Sequence, residues 1–380
     1  MKNLQRFHLA AITGGLLLIP AAQLAARTHT TLDTGWKFAK VDSLGKRAPW
    51  QNVRVPHDWA VHEPFAREHD LQIVAVEQNG ETEKTEKTGR TGGLPYMGKG
   101  IYTTTFEVAD TAGQHFTLVF DGAMSNPRVT VNGKYAGGWA YGYNSFYLNL
   151  PNGMVKPGDN TLTVELENKP QSSRWYPGAG LYRNVHLVTT SRVHVPTWGT
   201  YITTPYVTAS EASVKLITEI KGAAKGEAVG VKTDIIAPDG TVVATNNSTY
   251  YSHGQPFTQN FLVTKPSRWS TENPALYIAR TTLSVDGKPV DEYSTRFGIR
   301  SLEYIPEKGF FLNGEYTKFK GVCNHHDLGP LGAAVNRAAL RRQIVMLKDM
   351  GANAIRTAHN MPAPELVELC DEMGMMLMVE

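Results

Sequence analysis

Residues 337–380 read RAALRRQIVMLKDMGANAIRTAHNMPAPELVELCDEMGMMLMVE, and this stretch decides the architecture of the C-terminal part of the chain. From residue 337 an apolar side chain recurs every three or four positions, and Asn336 precedes the run as a good N-cap. A helix is therefore predicted over residues 337–350. The same spacing predicts a second helix over residues 364–373, which Gly374 ends.

Three short apolar segments flank these helices and predict β-strands. They cover residues 318–323, 352–357 and 375–379. Strand, helix, strand, helix, strand is the order of a parallel α/β sheet, and nearly continuous apolar strands are typical of a sheet that is buried on both faces. We therefore expect an α/β unit over residues 301–380.

Polar side chains lie at or just after the ends of the first two predicted strands. They are Asn324, His325, His326 and Asp327 after the first strand, Arg356 at the end of the second strand, directly after Ile355, and His359 and Asn360 beyond it. Because loops that leave the carboxyl ends of parallel strands converge, both groups are expected to share one site. These polar residues have three possible roles: they could bind a metal ion, form ordinary loop contacts, or bind a polar sugar or an anion. Adjacent histidines on an extended segment point to opposite sides, which favours the sugar or anion site.

The chain before residue 301 is strand and turn. Its first part has β-rich segments at 102–108, 116–120, 129–135 and 161–166, and Asn132-Gly133 is a strong hairpin signal. An all-β sandwich of the jelly-roll type is predicted over residues 27–190. Residues 77–99 alternate charges among Gly and Thr, and are predicted to form a long solvated loop.

A second β pattern runs over residues 191–300. Its predicted strands cover residues 214–220, 230–236, 241–244, 257–263, 279–285 and 292–299. Turn residues such as Asp286-Gly287 separate them. Six or seven strands in about 100 residues is the size of an immunoglobulin-like sandwich.

The N-terminus and the overall composition bear on location and ligand. Lys2 and Arg6 precede an apolar run, and small residues end at Ala26, so residues 1–26 are predicted to be a signal peptide. We expect an exported protein, periplasmic or secreted, of a Gram-negative bacterium.

The charge balance bears on the ligand. Without residues 1–26, 36 of the 38 basic residues remain against 35 acidic ones, which excludes a strong net attraction to nucleic acid or anionic membrane. Cys323 and Cys370 lie in apolar runs and are predicted to be buried free thiols.

Six motifs carry a resemblance that spans most of the chain. They are VPHDW (55–59), RWYPGAGLYR (174–183), WSTENPALY (269–277), FGIR (297–300), GVCNHHD (321–327) and NAIRTAHNMP (353–362). In this order they resemble the family 2 glycoside hydrolases, most closely the β-galactosidase-like members. The resemblance implies a jelly-roll sugar-binding domain, an immunoglobulin-like domain and a catalytic (β/α)8 barrel. It also implies retaining hydrolysis of terminal β-galactosides by two glutamates. No cofactor and no metal ligands are predicted within these 380 residues, and metal use by a complete enzyme is left open.

The resemblance also assigns roles to the polar residues of the predicted site. It implies that His325, Asp327, Arg356, His359 and Asn360 bind substrate, since imidazoles donate to sugar hydroxyls and a guanidinium can hold a carboxylate. The sequence departs from the family at residues 359–362, which are one residue longer than the usual His-Tyr-Pro. For residues 174–183 two roles are open, a stacking platform for sugar and packing between domains, and the second is favoured.

The length after residue 300 limits what this chain contains. A complete barrel needs about 250 residues, and 80 remain from Ser301 to Glu380. The resemblance places both catalytic glutamates beyond Glu380, so we expect the front portion of an enzyme, inactive alone, whose complete form is compatible with a homo-oligomer. A β-glucuronidase or β-mannosidase of the same family is an alternative. A non-catalytic carbohydrate-binding protein is another.

Overall fold

The computed structural model shows a mostly β chain that ends in a small parallel α/β unit. It describes residues 27–70, 72–74, 85–87, 96–169, 173 and 175–380. The predicted signal peptide and most of the predicted loop at 77–99 lie outside the described residues. Within those described ranges, no helix is long and apolar enough to cross a membrane.

The first β unit is built from two antiparallel sheets around one core. Its strands are β1 (Thr28–Thr31), β2 (Trp36–Val41), β3 (Gln51–Val53), β4 (Gln72–Val74), β5 (Thr85–Lys87), β6 (Gly98–Val108), β7 (Gln114–Phe120), β8 (Arg128–Val131), β9 (Lys134–Gly138), β10 (Phe146–Leu150), β11 (Gly158–Asn168) and β12 (Val185–Ser191). One sheet has the order β1-β12-β7-β10 and the other β3-β2-β6-β11-β8-β9, while β4 pairs with β5. Large buried side chains such as Trp36, Tyr102 and Phe120 belong to the core of this unit. Asn132 and Gly133 both have positive φ (51° and 75°), which confirms the predicted hairpin turn.

The second β unit has two sheets of its own. Its strands are β13 (Thr200–Val207), β14 (Glu211–Thr218), β15 (Ala228–Ile236), β16 (Val242–Tyr251), β17 (Phe257–Thr264), β18 (Tyr277–Val285) and β19 (Lys288–Phe297). The sheet orders are β13-β14-β17 and β16-β15-β18-β19. The sequence did not predict β13, and β16 continues seven residues past the predicted end at 244. Asn246, Asn247 and Ser248 of β16 are weak strand formers, and pairing with β15 along nearly the whole strand overrides that preference.

The C-terminal part contains the predicted α/β unit. Its elements are β20 (Leu302–Ile305), β21 (Gly309–Leu312), β22 (Glu315–Tyr316), β23 (Gly321–Asn324), α1 (Arg337–Asp349), β24 (Ala354–Thr357), α2 (Pro364–Met373) and β25 (Met376–Val379). Strands β20 to β22 form a small antiparallel sheet, and β23-β24-β25 is parallel, as predicted. Asn336 caps α1 by accepting a hydrogen bond from the amide of Ala339, and Gly374 ends α2 with φ of 68°.

The prediction that the parallel strands are buried on both faces is wrong for this chain. Met378 is 55 % exposed, and Cys323 is exposed rather than buried. The buried side chains of α1 and α2 pack with Ile355 of the sheet, and none of the described elements covers the side where Cys323 lies. Cys370 is buried as predicted, and burial raises the pKa of its thiol to about 12. The predicted domain boundaries at 190/191 and 300/301 stay predictions.

One carboxylate joins the first β unit to the α/β unit. Asp58 is 1 % exposed. Its Oδ1 accepts hydrogen bonds from the amides of Ala60 (3.0 Å) and Ala179 (2.9 Å). Its Oδ2 accepts from the Tyr176 hydroxyl (2.6 Å) and the Ala333 amide (2.8 Å). Burial raises the pKa of Asp58, and these four hydrogen bonds act against that rise.

Two glycines let the backbone approach this carboxylate. Gly178 and Gly332 have φ of 69° and 62°, a region that favours glycine. A Cβ on Gly178 would lie 2.4 Å from the Cβ of Ala333, and one on Gly332 would lie 2.5 Å from Oδ2 of Asp58. The contact between the two units therefore depends on the absence of side chains at both positions.

We expect Asp58→Asn to destabilise the chain strongly. An amide has the same shape, but its NH2 group would face either the amides of Ala60 and Ala179 or the amide of Ala333. At least one buried backbone donor therefore loses its acceptor, at a cost of about 1–3 kcal/mol for each such donor. The measurement is urea-induced unfolding of the variant and the parent. Asp33→Asn is the control, because Asp33 pairs with Arg54 in a more exposed setting and a surface pair is worth about 1 kcal/mol or less. Equal effects of the two substitutions would contradict this role of Asp58.

Candidate functional site

Four side chains meet at the carboxyl ends of the three parallel strands. We call His325, Arg356, His359 and Glu380 the rim cluster. Arg356 Nη2 donates to Oε1 of Glu380, and His359 Nδ1 lies 3.2 Å from Oε2 of the same carboxylate. The rings of His325 and His359 are 5.4 Å apart and nearly perpendicular. The two polar groups that the sequence placed after successive strands therefore do share one site, through these members.

The rim cluster holds Glu380 as a carboxylate. Partial burial would raise the pKa of Glu380, but the hydrogen bonds from Arg356 and His359 outweigh it and lower the pKa. Hydrogen bonds to Cys323 Sγ and to Glu380 raise the pKa of Arg356. Arg356 Nη1 lies 3.5 Å from that sulfur. The guanidinium is thus engaged on both arms, and the two imidazoles remain exposed to a ligand.

A tryptophan of the first β unit forms one side of the rim cluster. The indole of Trp175 lies 5.8 Å from the ring of His325 and 5.3 Å from that of His359. Its Nε1 donates to the Tyr143 hydroxyl at 3.1 Å, which fixes the ring. The aromatic motif at 174–183 was the sequence signal for this residue. Tyr143 carried no signal, because it comes from a separate loop; Arg174 lies outside the described residues.

The other end of the same motif packs between the units. Arg183 is 1 % exposed, and its guanidinium donates to the carbonyls of Asp121 (3.1 Å) and Tyr143 (2.7 Å). It also donates to the carbonyl of Met361 at 2.8 Å, two residues after His359. The predicted packing role is therefore seen at one end of the segment, and the stacking role at the other end stays a prediction. Trp175 faces the rim cluster, and Arg183 holds the loop that carries His359.

Three sequence-predicted residues lie away from the rim cluster. His326 turns inward, where Nε2 donates to the carbonyl of Pro177 at 3.1 Å. Asn360 is 3 % exposed and lines a cavity of about 30 Å³ beside α1 and α2. Asp327 is half-buried near Tyr176. In the part of the chain that the structure describes, no three His, Cys, Asp or Glu side chains converge as metal ligands would.

These features define a multidomain, mostly β protein with a polar site at the ends of parallel strands. Residues 193–300 match the sequence profile of glycosyl hydrolases family 2, and residues 304–380 match the TIM barrel domain of that family. The chain belongs to glycosyl hydrolase family 2.

Several named relatives are longer than this chain. The chain is 38 % identical to a β-galactosidase of Bacteroides ovatus, over 94 % of its own length and 41 % of the relative's. It is 27 % identical to a β-glucuronidase of Bacteroides fragilis, over 96 % of its own length and 51 % of the relative's. The crystal structure of a family 2 member from Bacteroides cellulosilyticus matches with a TM-score of 0.81 at 30 % identity, and covers 92 % of this chain and 45 % of the other. The chain thus spans about half or less of the length of these proteins.

We expect the stability of the chain to fall in mild acid because of His326. Burial lowers the pKa of His326 from 6.5 to about 4. The unfolded chain therefore binds more protons between these values, so the stability contribution of the neutral ring is complete above pH 6.5 and is lost as the pH falls towards 4. Between pH 7 and pH 5 this one group accounts for about 2 kcal/mol.

The measurement is the urea midpoint at pH 7 and pH 5. His326→Gln keeps a donor for the Pro177 carbonyl and cannot be protonated, so it should show a smaller loss at pH 5 than the parent. His253→Gln, at an exposed position, should keep the parental loss. The assignment to His326 is wrong if both variants lose the same stability as the parent.

Proposed function

We propose that this chain forms the front part of a retaining β-galactosidase and contributes sugar-binding residues to its active site. The observation that carries the proposal is the rim cluster beside Trp175, at the strand ends of a family 2 chain. A barrel whose C-terminal mouth holds the active site would present these groups to the substrate. The proposed order is a jelly-roll domain, an immunoglobulin-like domain and the start of a (β/α)8 barrel. Export through the predicted signal peptide is part of the same proposal.

The rim cluster has the chemistry that a pyranose requires. The exposed imidazole of His325 can donate to a sugar hydroxyl, and Nε2 of His359, whose Nδ1 bonds to Glu380, can accept from one. The Trp175 ring offers an apolar face for C–H groups of the sugar. Arg356 keeps Glu380 ionised, so this carboxylate accepts hydrogen bonds from sugar hydroxyls and does not supply a proton. Asp327 and Asn360 stay predicted substrate contacts, although this structure holds both outside the rim cluster.

A neutral galactoside is favoured over a glucuronide. The relative with 38 % identity carries the name β-galactosidase. Both arms of Arg356 are already occupied, by Cys323 and Glu380, so this guanidinium is not free to bind the carboxylate of a uronate. A β-glucuronidase is the second candidate, because another family 2 relative carries that name.

We expect the 380-residue chain to show no hydrolysis of 4-nitrophenyl β-D-galactopyranoside. A retaining mechanism needs two carboxyl groups about 5 Å apart. In the rim cluster there is one, Glu380, and it is bound to Arg356 and His359. The measurement is release of 4-nitrophenol by purified chain, with the B. ovatus β-galactosidase as the positive control. Turnover that elutes with the monomeric chain would contradict this expectation.

The activity itself is tested on the whole polypeptide that the gene encodes, read past codon 380. Arg356→Ala in an active polypeptide should lower kcat by about a hundredfold or more, because an electrostatic contact at the reacting centre is lost. Arg337→Ala is the matched control. Arg337 also pairs with glutamates, Glu368 and Glu372, but on the outer side of α1 and α2.

Each outcome of this experiment separates the candidates. Preference for the galactoside over 4-nitrophenyl β-D-glucuronide supports the proposal, and the reverse preference favours the β-glucuronidase. If Arg356→Ala stays within a few-fold of the parent, the site assignment is wrong. A stop codon directly after codon 380 would contradict the proposed hydrolase function and would favour the non-catalytic carbohydrate-binding protein.

A further inference from the structure

A groove of about 980 Å³ runs along the boundary between the first and second β units. It shares no residue with the rim cluster. Its floor is the outward face of the sheet β1-β12-β7-β10, where alternate residues of three neighbouring strands line up. These residues are His115, Thr117, Tyr147, Asn149, Val188 and Thr190. Residues 192, 194–198, 219, 221 and 222 of the following segment form its wall.

Two large aromatic side chains stay exposed in this groove. Tyr147 from the floor is 38 % exposed and Trp198 from the wall is 53 % exposed. Their rings are 5.3 Å apart and meet at 75°. Single exposed aromatics are common, whereas adjoining exposed apolar surface is typical of ligand-binding grooves. The two ring faces present apolar surface in two directions.

The backbone conformation at position 198 disfavours a bulky residue such as tryptophan. Its φ is +57°, in the left-handed region, and the amide of Gly199 closes the turn on the carbonyl of Pro196 at 2.9 Å. Glycine or asparagine is the usual residue at such a position, and a bulky side chain adopts it at a cost in backbone energy. Strain of this kind persists chiefly where the side chain has a task.

The polar groups of the groove suit a neutral ligand. Oδ1 of Asn149 accepts from the Thr117 hydroxyl (2.9 Å) and lies 3.3 Å from Nε2 of His115. This orients the amide so that its NH2 group, which has no partner among the described residues, is free to donate. The cations along the groove are already paired: Arg27 with Asp291, Arg192 with Glu227, and Lys221 with Glu219.

The geometry points to a second glycan-binding site in this groove, for a neutral oligosaccharide. Tyr147 and Trp198 pack against pyranose faces, and Asn149 donates to a sugar hydroxyl. The volume stands at the upper end of the range for small-ligand sites, about 300–1,000 Å³, and so accommodates more than one sugar ring. The site acts by binding alone and needs neither the rim cluster nor the hydrolysis proposed above.

The test is affinity electrophoresis of the 380-residue chain. Native gels contain soluble β-1,4-galactan, xyloglucan or arabinogalactan, and a parallel gel contains polygalacturonate as the charged polymer. We expect retardation by at least one neutral polysaccharide and none by polygalacturonate. Trp198→Gly and Tyr147→Ala should each weaken the binding at least tenfold. Since glycine suits the positive φ, Trp198→Gly should unfold at a temperature no lower than the parent.

The control is Trp139→Ala, because Trp139 is 42 % exposed but lies outside the groove. It should keep the parental retardation. The inference is overturned if none of the neutral polysaccharides retards the chain, if polygalacturonate retards it equally, or if the two groove variants bind as the parent does. Failure of the proposed hydrolase activity would leave these binding results unchanged, so the two proposals fail separately.

Discussion

The buried carboxylate of Asp58 is the contact on which the arrangement of the site depends. A charge that is removed from water must be fully hydrogen-bonded, and Asp58 meets four donors from three separate segments of the chain. Two of these segments belong to the first β unit, and the third, at Ala333, lies just before α1. The desolvation cost of the carboxylate thus requires that all three segments meet in one geometry.

This geometry brings a residue of one folding unit to the site of another. Trp175 precedes Tyr176, whose hydroxyl bonds to Asp58, and it faces the histidines of the rim cluster. At the other end of the same motif, Arg183 donates to the carbonyl of Met361 and so stabilises the loop that carries His359. Because polar groups buried in a low dielectric are costly to leave unpaired, such contacts define position more strictly than apolar packing does. The aromatic side of the site is therefore part of the interface between the units.

The two candidate binding sites use the first β unit differently. At the rim cluster one loop of that unit supplies a ring to a site whose polar groups come from the parallel strands. In the groove the outward face of one of its sheets supplies the floor, and Trp198 supplies the wall. The ring surfaces are alike in kind, but the electrostatics differ. The rim cluster is organised around an ion pair, whereas the lining cations of the groove are neutralised by their partners.

Local sequence patterns were sufficient to predict the two helices, their ends and one hairpin turn. Apolar spacing, the Asn336 cap and the Gly374 stop place α1 and α2 within a residue of their observed ends, and Asn132-Gly133 marks its hairpin. Polar residues after successive parallel strands also predicted a shared site with His325, Arg356 and His359. These signals act over a few residues and need no knowledge of the rest of the fold.

Packing between distant segments determines which side chains lie in the rim cluster and which lie outside it. His326 and Asn360 each follow a histidine of the rim cluster in the sequence. Packing buries Asn360 beside the helices and turns His326 inward against the first β unit. The exposure of Cys323 and the extent of β16 likewise depend on what covers or pairs with a strand, which is set by residues distant in the chain. The same holds for Trp175, whose approach to His359 follows from a carboxylate more than a hundred residues before it. Local sequence cannot encode these outcomes, because each depends on the free energy of contacts between segments that folding alone brings together.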